Sequence, residues 1–146
     1  VVSTSALEIL VTSKSKKSKS VAPTGARERA RIIAIVEALP EGAAIPTGTH
    51  LRLEVRKRLF GWFMVDHHGD GRVQLNCKAT ADMHDALQQL APKHFHVPAY
   101  VGSKGWAGLW LDVPRLKWSV VELALRGAYL QAAPKTLAKQ VEEATR

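Results

Sequence analysis

Three short segments, close together in the chain, alternate apolar and polar residues and leave little room for anything but antiparallel pairing. "HLRLEVR" (50–56) sets Leu51, Leu53 and Val55 against Arg52, Glu54 and Arg56. "LFGWFMV" (59–65) follows almost at once, and "RVQLNCK" (72–78) sets Val73, Leu75 and Cys77 inward and Gln74, Asn76 and Lys78 outward. Successive side chains on a strand point to opposite faces, so each segment offers one apolar face to a core. The first junction is Arg56-Lys57-Arg58 and the second is "DHHGDGR" (66–72). Both are short enough for hairpins, and Gly69, Asp70 and Gly71 suit the turn positions of the second.

Helical spacing flanks this meander. Ala30, Ile33 and Val36, with Ile32 and Leu39, recur at three- and four-residue intervals until Pro40–Gly42 end the pattern. A turn-rich link then leads to the first strand. In "TADMHDALQQLAP", Met83, Ala86, Leu87 and Leu90 share a helical face, with Thr80 or Asp82 as N-cap and Pro92 as the stop. "FHVPAYVGSKG" is interrupted by proline and glycine and is expected to be a loop, and "WAGLWLDV" to be a short strand. "WSVVELALRGAYL" carries a capping box in Ser119 and Glu122, with Trp118 and Leu123 placed as a hydrophobic staple. A last short helix follows Pro134. The expected order is therefore helix, three-strand meander, helix, strand, helix, an α+β domain.

A length of 146 residues suits one domain. Residues 1–24 stand apart: they are rich in serine and lysine without hydrophobic periodicity, and are expected to form a disordered basic arm ahead of a single domain over 25–146. A mitochondrial-type leader is the alternative, but Glu8 and the all-lysine cations fit it poorly. Lys14, Lys16, Lys17 and Lys19 against Glu8 give this arm +3 of the net +8, leaving +5 on residues 25–146. Such a balance favours anionic partners. No apolar run is long enough to span a bilayer, and the single Cys77 leaves no internal disulfide, so a cytoplasmic location and no membrane contact are expected.

The candidate chemistry is sparse. His67 and His68 are adjacent and project to opposite faces of an extended chain, so a turn competes with a metal site there. His94 and His96 flank Phe95 in the expected loop and are read as exposed polar positions, and Cys77 as a small core residue. No GxSxG elbow or P-loop occurs, although "GSKG" (102–105) sets Lys104 in a turn able to approach a phosphate. Arg56, Lys57 and Arg58 at a hairpin tip would suit a wing reaching for a nucleic-acid backbone, or merely protection of strand ends. Trp62, Trp106 and Trp110 are either base-stacking platforms or core.

"KRLFGWFMVDHHGDGRVQLNCKA", "FHVPAYVGSKGWAGLWLDV" and "AYLQAAPKTL" resemble the MmcQ/YjbR family, including its Pro-x-Tyr-x-Gly-x-x-Gly-Trp loop and the following strand ending in Leu-Asp. The resemblance runs over residues 27–140. It implies a two-layer, double-wing or frataxin-like domain with a mainly antiparallel sheet covered by helices on one side. Lys57, Phe60, Tyr100, Gly105 and Trp106 match recurrent positions of the family, and no catalytic residue transfers. Frataxin-like iron binding is not expected, because Arg27, Arg29 and Arg31 stand at the start of the first helix.

The function expected from the sequence is a monomeric, cofactor-free and metal-free DNA-binding domain that contacts phosphates through Arg56, Lys57, Arg58 and Lys104 without catalysis. The alternatives are an adaptor for an acidic protein, or a small-molecule binder or enzyme with a pocket around Phe60, Tyr100, Gly105 and Trp106.

Overall fold

The computed structural model describes residues 25–99 and 101–144. The basic arm and Tyr100 lie outside the described residues. The elements are α1 (Ala26–Glu37), β1 (Gly42–Thr47), β2 (His50–Val55), β3 (Arg58–Val65), β4 (Val73–Cys77), α2 (Ala81–Leu90), β5 (Phe95–His96), β6 (Ala107–Trp110), α3 (Trp118–Ala132) and α4 (Lys135–Ala144). They form an α+β domain around one sheet of order β1-β2-β3-β4-β6-β5, antiparallel at every pairing. None of its helices, among the described residues, is long and apolar enough to cross a membrane.

The alternation that predicts the meander also builds its core. Leu51, Leu53, Val55, Phe63, Leu75, Cys77 and Leu109 are at most 2% exposed. Against this face lie Ile32 and Val36 of α1, Leu137 and Val141 of α4, and a stripe along α3 formed by Val121, Ala124, Leu125, Ala128 and Tyr129. Small residues at 124 and 128 let α3 approach the sheet, and Tyr129 satisfies its hydroxyl by donating to the Pro40 carbonyl at 2.6 Å. Burial in this apolar layer pushes the Cys77 thiol up to about 12, so it serves as core rather than nucleophile.

Four expectations change. The expected loop "FHVPAYVGSKG" opens with a short strand, because Phe95 and His96 pair with Leu109 and Gly108 of β6. The link before β2 is itself a strand: β1 pairs with β2 from Gly42↔Val55 to Thr47↔His50. It carries no alternating pattern because it is the sheet edge, where Pro46 is tolerated and half the positions face water. Gly42 is required by close approach, since a Cβ there would lie 2.1 Å from the Val36 carbonyl oxygen. Ser119 does not cap α3: the helix begins at Trp118, with Lys117 in the extended cap conformation and no side-chain cap bond. Trp118 packs partly against the core and holds the Arg31 guanidinium 4.6 Å from its ring, and the helix starts two residues earlier than the box requires. Leu90 is 54% exposed rather than part of the buried face of α2, where Leu87 alone is fully buried. Thr80, by contrast, caps α2 as expected, its hydroxyl accepting from the Met83 N–H at 3.1 Å.

Candidate functional site

The two hairpin junctions differ. Arg56 and Lys57 form a two-residue tip between β2 and β3, both with positive φ (47° and 66°), as the twist of a tight hairpin requires. Arg56 is held there by Glu41, whose carboxylate accepts from Nε at 3.0 Å and Nη2 at 2.8 Å. Lys57 is exposed. Arg58 lies apart from this pair, and one of its guanidinium nitrogens donates to the Ala132 carbonyl at 3.4 Å, where α3 ends. There Arg58, Lys78 and Lys104 converge with Trp106, Leu59, Gln131 and Ala132 around a shallow basin of about 490 Å³. Sequence reasoning named Arg58 and Lys104; the fold adds Lys78 and separates Arg56.

Of the residues read as a possible pocket, Tyr100 lies outside the described residues, and Phe60 and Trp106 are buried. Phe60 is 0% exposed and meets Tyr129 edge-on in the core, so no ligand reaches it without repacking. Trp106 is 7% exposed at the basin wall. Gly105 has φ of 88°, and its carbonyl is 2.7 Å from His84 Nε2, which ties the turn to α2.

The larger cavity lies elsewhere, on the face of the sheet that the helices leave uncovered. Register explains how. Arg52 pairs with Trp62, Trp62 with Asn76, Asn76 with Gly108 and Gly108 with His96, one outward row crossing five strands. Met64, Gln74 and Trp110 form the next row. These rows floor a cleft of about 650 Å³, walled by Val97, Pro98, Ala99 and Val101 and closed at one end by His50, His67, His68 and Asp70. Gln74 and Asn76 point outward as the alternation predicts, yet are only 6% and 5% exposed, because the cleft's walls cover them.

Gly108 is the residue that lets the row close. A Cβ there would lie 2.3 Å from His96 Cε1, so only glycine leaves room for the imidazole to lie across β6. The ring stacks on Trp110 with centroids 3.9 Å apart, and the Arg72 guanidinium stands 4.0 Å from the Trp110 ring. Arg72 is fixed by two bonds to Asp112, at 2.9 and 3.0 Å. Burial, then the Arg72 charge, lowers His96 to about 4, while a backbone bond to Val97 acts the other way. Nε2 of this ring is sealed from solvent without a hydrogen-bond partner, and so is Asn76 Oδ1. His94, also expected to be exposed, is 6% exposed, with Nε2 3.1 Å from the Val113 carbonyl.

"DHHGDGR" is a turn. Asp66, His68, Gly69 and Gly71 take positive φ, and Asp66 Oδ1 accepts from the Gly71 N–H at 2.6 Å. His50, unforeseen from sequence, comes within 3.4 Å of His67. Its Nδ1 accepts from the Val65 N–H at 3.2 Å, so the neutral ring carries its proton on Nε2 and points it at His67 Nδ1. Both His50 nitrogens are thereby used, and among the described residues no group of three or more His, Cys, Asp or Glu is arranged to hold a metal. Burial, then His67, keeps His50 below its ordinary pKa, with Asp70 opposing.

No family model matches the chain, and neither does any curated protein. Among solved structures, the crystal structure of Deinococcus radiodurans protein DR2400, with domain DUF419, matches with a TM-score of 0.58 at 18% identity. The match covers 78% of this chain and 87% of that one. It shows a shared fold.

Proposed function

We propose that the chain is a small-molecule-binding domain of the MmcQ/YjbR, double-wing type, with the cleft on the open sheet face as its site. One observation carries this reading. Two buried polar atoms, Asn76 Oδ1 and His96 Nε2, on residues that line the cleft of about 650 Å³, have no partner. An unsatisfied buried polar group costs about 1–3 kcal/mol, and keeping two of them on residues that line one cleft favours a ligand there. The sequence segments that resemble MmcQ/YjbR proteins, together with the architecture shared with the DUF419 structure, support the family assignment.

A fragment screen by ligand-observed NMR on the full chain tests the site. Hits are expected to disappear in Trp62→Ala and to survive Lys104→Gln. Hits that need Lys104 and ignore Trp62 would move the site to the basin.

The basin supports a second reading, contact with nucleic-acid phosphates. Arg58, Lys78 and Lys104 converge there with no carboxylate among the described lining residues. Each phosphate neutralised on duplex DNA contributes about −0.9 to the slope of log K against log salt. Changing all three to Gln should flatten that slope by up to about three units, whereas Arg56→Gln should leave it unaltered because Glu41 already holds that charge. A core domain without salt-dependent affinity for DNA would remove this reading and leave the cleft standing.

A further inference from the structure

We propose that the groove between the end of α2 and the segment leading into α3 is a docking surface for a protein segment whose acidic side chains flank an apolar one. The groove shares no lining residue with the cleft or the basin, so it stands or falls apart from both.

Its shape is fixed by the fold. Leu90, Pro92 and Lys93 border it from the α2 end, and Pro114, Arg115 and Lys117 from the other segment, around a volume of about 440 Å³. His94, which is buried, has Nε2 3.1 Å from the Val113 carbonyl and 3.2 Å from the Pro114 carbonyl. A carbonyl only accepts, so Nε2 carries the proton and holds the two segments together. The His94 carbonyl in turn accepts from the Trp110 N–H at 2.7 Å, which ties the groove to β6. A partner therefore meets a surface already formed, and little ordering cost is left to binding.

Its charge is unbalanced. Lys93, Arg115 and Lys117 are exposed, and among the described residues none of them is in an ion pair. No carboxylate is among the described lining residues. Asp112, one residue before Val113, is already engaged: its oxygens accept from Arg72 Nε and Nη2 and from the Val73 N–H. Arg115 has φ of 68°, a left-handed conformation that glycine takes more readily, so a guanidinium stands there at a conformational cost. Three cations around one depression repel each other, and carboxylates from a partner relieve that repulsion and steer the encounter.

The apolar member follows from what lies between the charges. Leu90 is exposed at the last turn of α2 and lines the groove with exposed Pro92 and Pro114. Nucleic-acid phosphates would use the three cations and leave this surface in water. A bilayer takes up apolar side chains that protrude, whereas these line a depression, which receives a side chain instead. A second copy of the chain brings like charge, +5 over residues 25–146. An acidic segment with an apolar residue matches both the charge and the concave surface.

The blocked peptide acetyl-Glu-Glu-Leu-Glu-Glu-amide, titrated into the full chain at low salt and followed by amide NMR, tests this. Leu90, Lys93, Arg115 and Lys117 should shift, with a Kd of about 1 mM or tighter. Replacing the peptide's glutamates by glutamine should weaken binding at least about tenfold, and replacing its leucine by glycine about fivefold. Arg115→Gly removes one cation and relieves the left-handed residue, so it should leave the denaturation midpoint close to wild type while weakening the peptide about two- to fivefold. Arg115→Lys should retain the affinity. Equal affinity for the leucine and glycine peptides would overturn the proposal, and so would the absence of any shift at these amides at about 10 mM peptide. A short DNA duplex, or phosphatidylserine-containing vesicles, should perturb other residues most. Strongest perturbation at these amides by either would overturn an acidic protein segment as the partner.

Discussion

Along β3 and β4 each inward residue has an outward neighbour one position away, and the fold treats the two sets differently. Inward, Phe63, Leu75 and Leu109 line up across three strands, are at most 1% exposed, and pack against α3. Outward, Trp62, Asn76, Gly108 and His96 line up just as regularly, yet the row holds two polar atoms with no partner. The inner face spends its residues on packing. The outer face keeps a cost that packing alone would have removed, and a cost retained next to an optimised core points to function rather than to imperfect folding.

The largest expected contrast lies between adjacent residues. Leu75→Ala should destabilise the fold by about 2–5 kcal/mol, since α3 cannot collapse into the space. Asn76→Leu, one position on, should leave stability within about 1 kcal/mol of wild type or raise it, because it removes an unsatisfied acceptor. Denaturant midpoints check both. A loss at Asn76 as large as that at Leu75 would mean that its amide is a structural bond and the two faces are alike.

Gly108→Ala should cost about 1–3 kcal/mol and expel the imidazole from its place over β6. The sharper readout is the titration of His96, which should rise from about 4 toward the ordinary histidine value once the ring reaches water. An unchanged His96 titration would show that the ring does not depend on that glycine.

A third expectation concerns acid. His96 and His50 both have folded pKa values below the unfolded 6.5, so the unfolded chain takes up protons first as pH falls. Their contribution to stability is complete above about pH 6.5 and is lost as pH falls from there toward about 4. His96→Gln should flatten the slope in this window. Asp112 acts lower down: burial pushes its carboxyl up, but bonds from Arg72 and the Val73 N–H outweigh it, and that stability is lost as pH falls below 3.8. A melting temperature flat between pH 6.5 and 4 would contradict the half-buried, neutral imidazoles of the outer face.

How much of this is legible in the sequence depends on how local the cause is. Leu51, Leu53, Phe63 and Leu75 announce themselves because the two-residue period lies within each segment. The glycine turn at 69–71 is likewise local. The outer row is not. His96 reaches Asn76's neighbourhood only because β6 passes between β4 and β5, a strand order no short window contains. One local signal was present: a glycine inside "WAGLW" marks a strand where another group approaches closely, and Gly108 is that place. His50 reads as the first residue of a strand, and nothing near it forecasts His67. The basic tip is legible as a turn, but the ion pair that takes up Arg56 is not, because Glu41 belongs to a link that carries no strand pattern.

The smallest effect is expected at that tip. Replacing Arg56-Lys57 by Asn-Gly relieves two non-glycine residues at positive φ and forfeits an exposed ion pair, so the denaturation midpoint should scarcely move. Cleft binding should be unaffected. A change in the affinity of a fragment hit would join two regions that the fold keeps apart.

The four tryptophans allow the most direct measurement. Trp62 and Trp110 floor the cleft, Trp106 stands at the basin and Trp118 starts α3. Indole N–H resonances followed while the full chain is titrated with a hit from the fragment screen should move for Trp62 and Trp110 and stay fixed for Trp106 and Trp118. Movement confined to Trp106, or none at Trp62 and Trp110, would contradict the assignment of the outer sheet face as the ligand site.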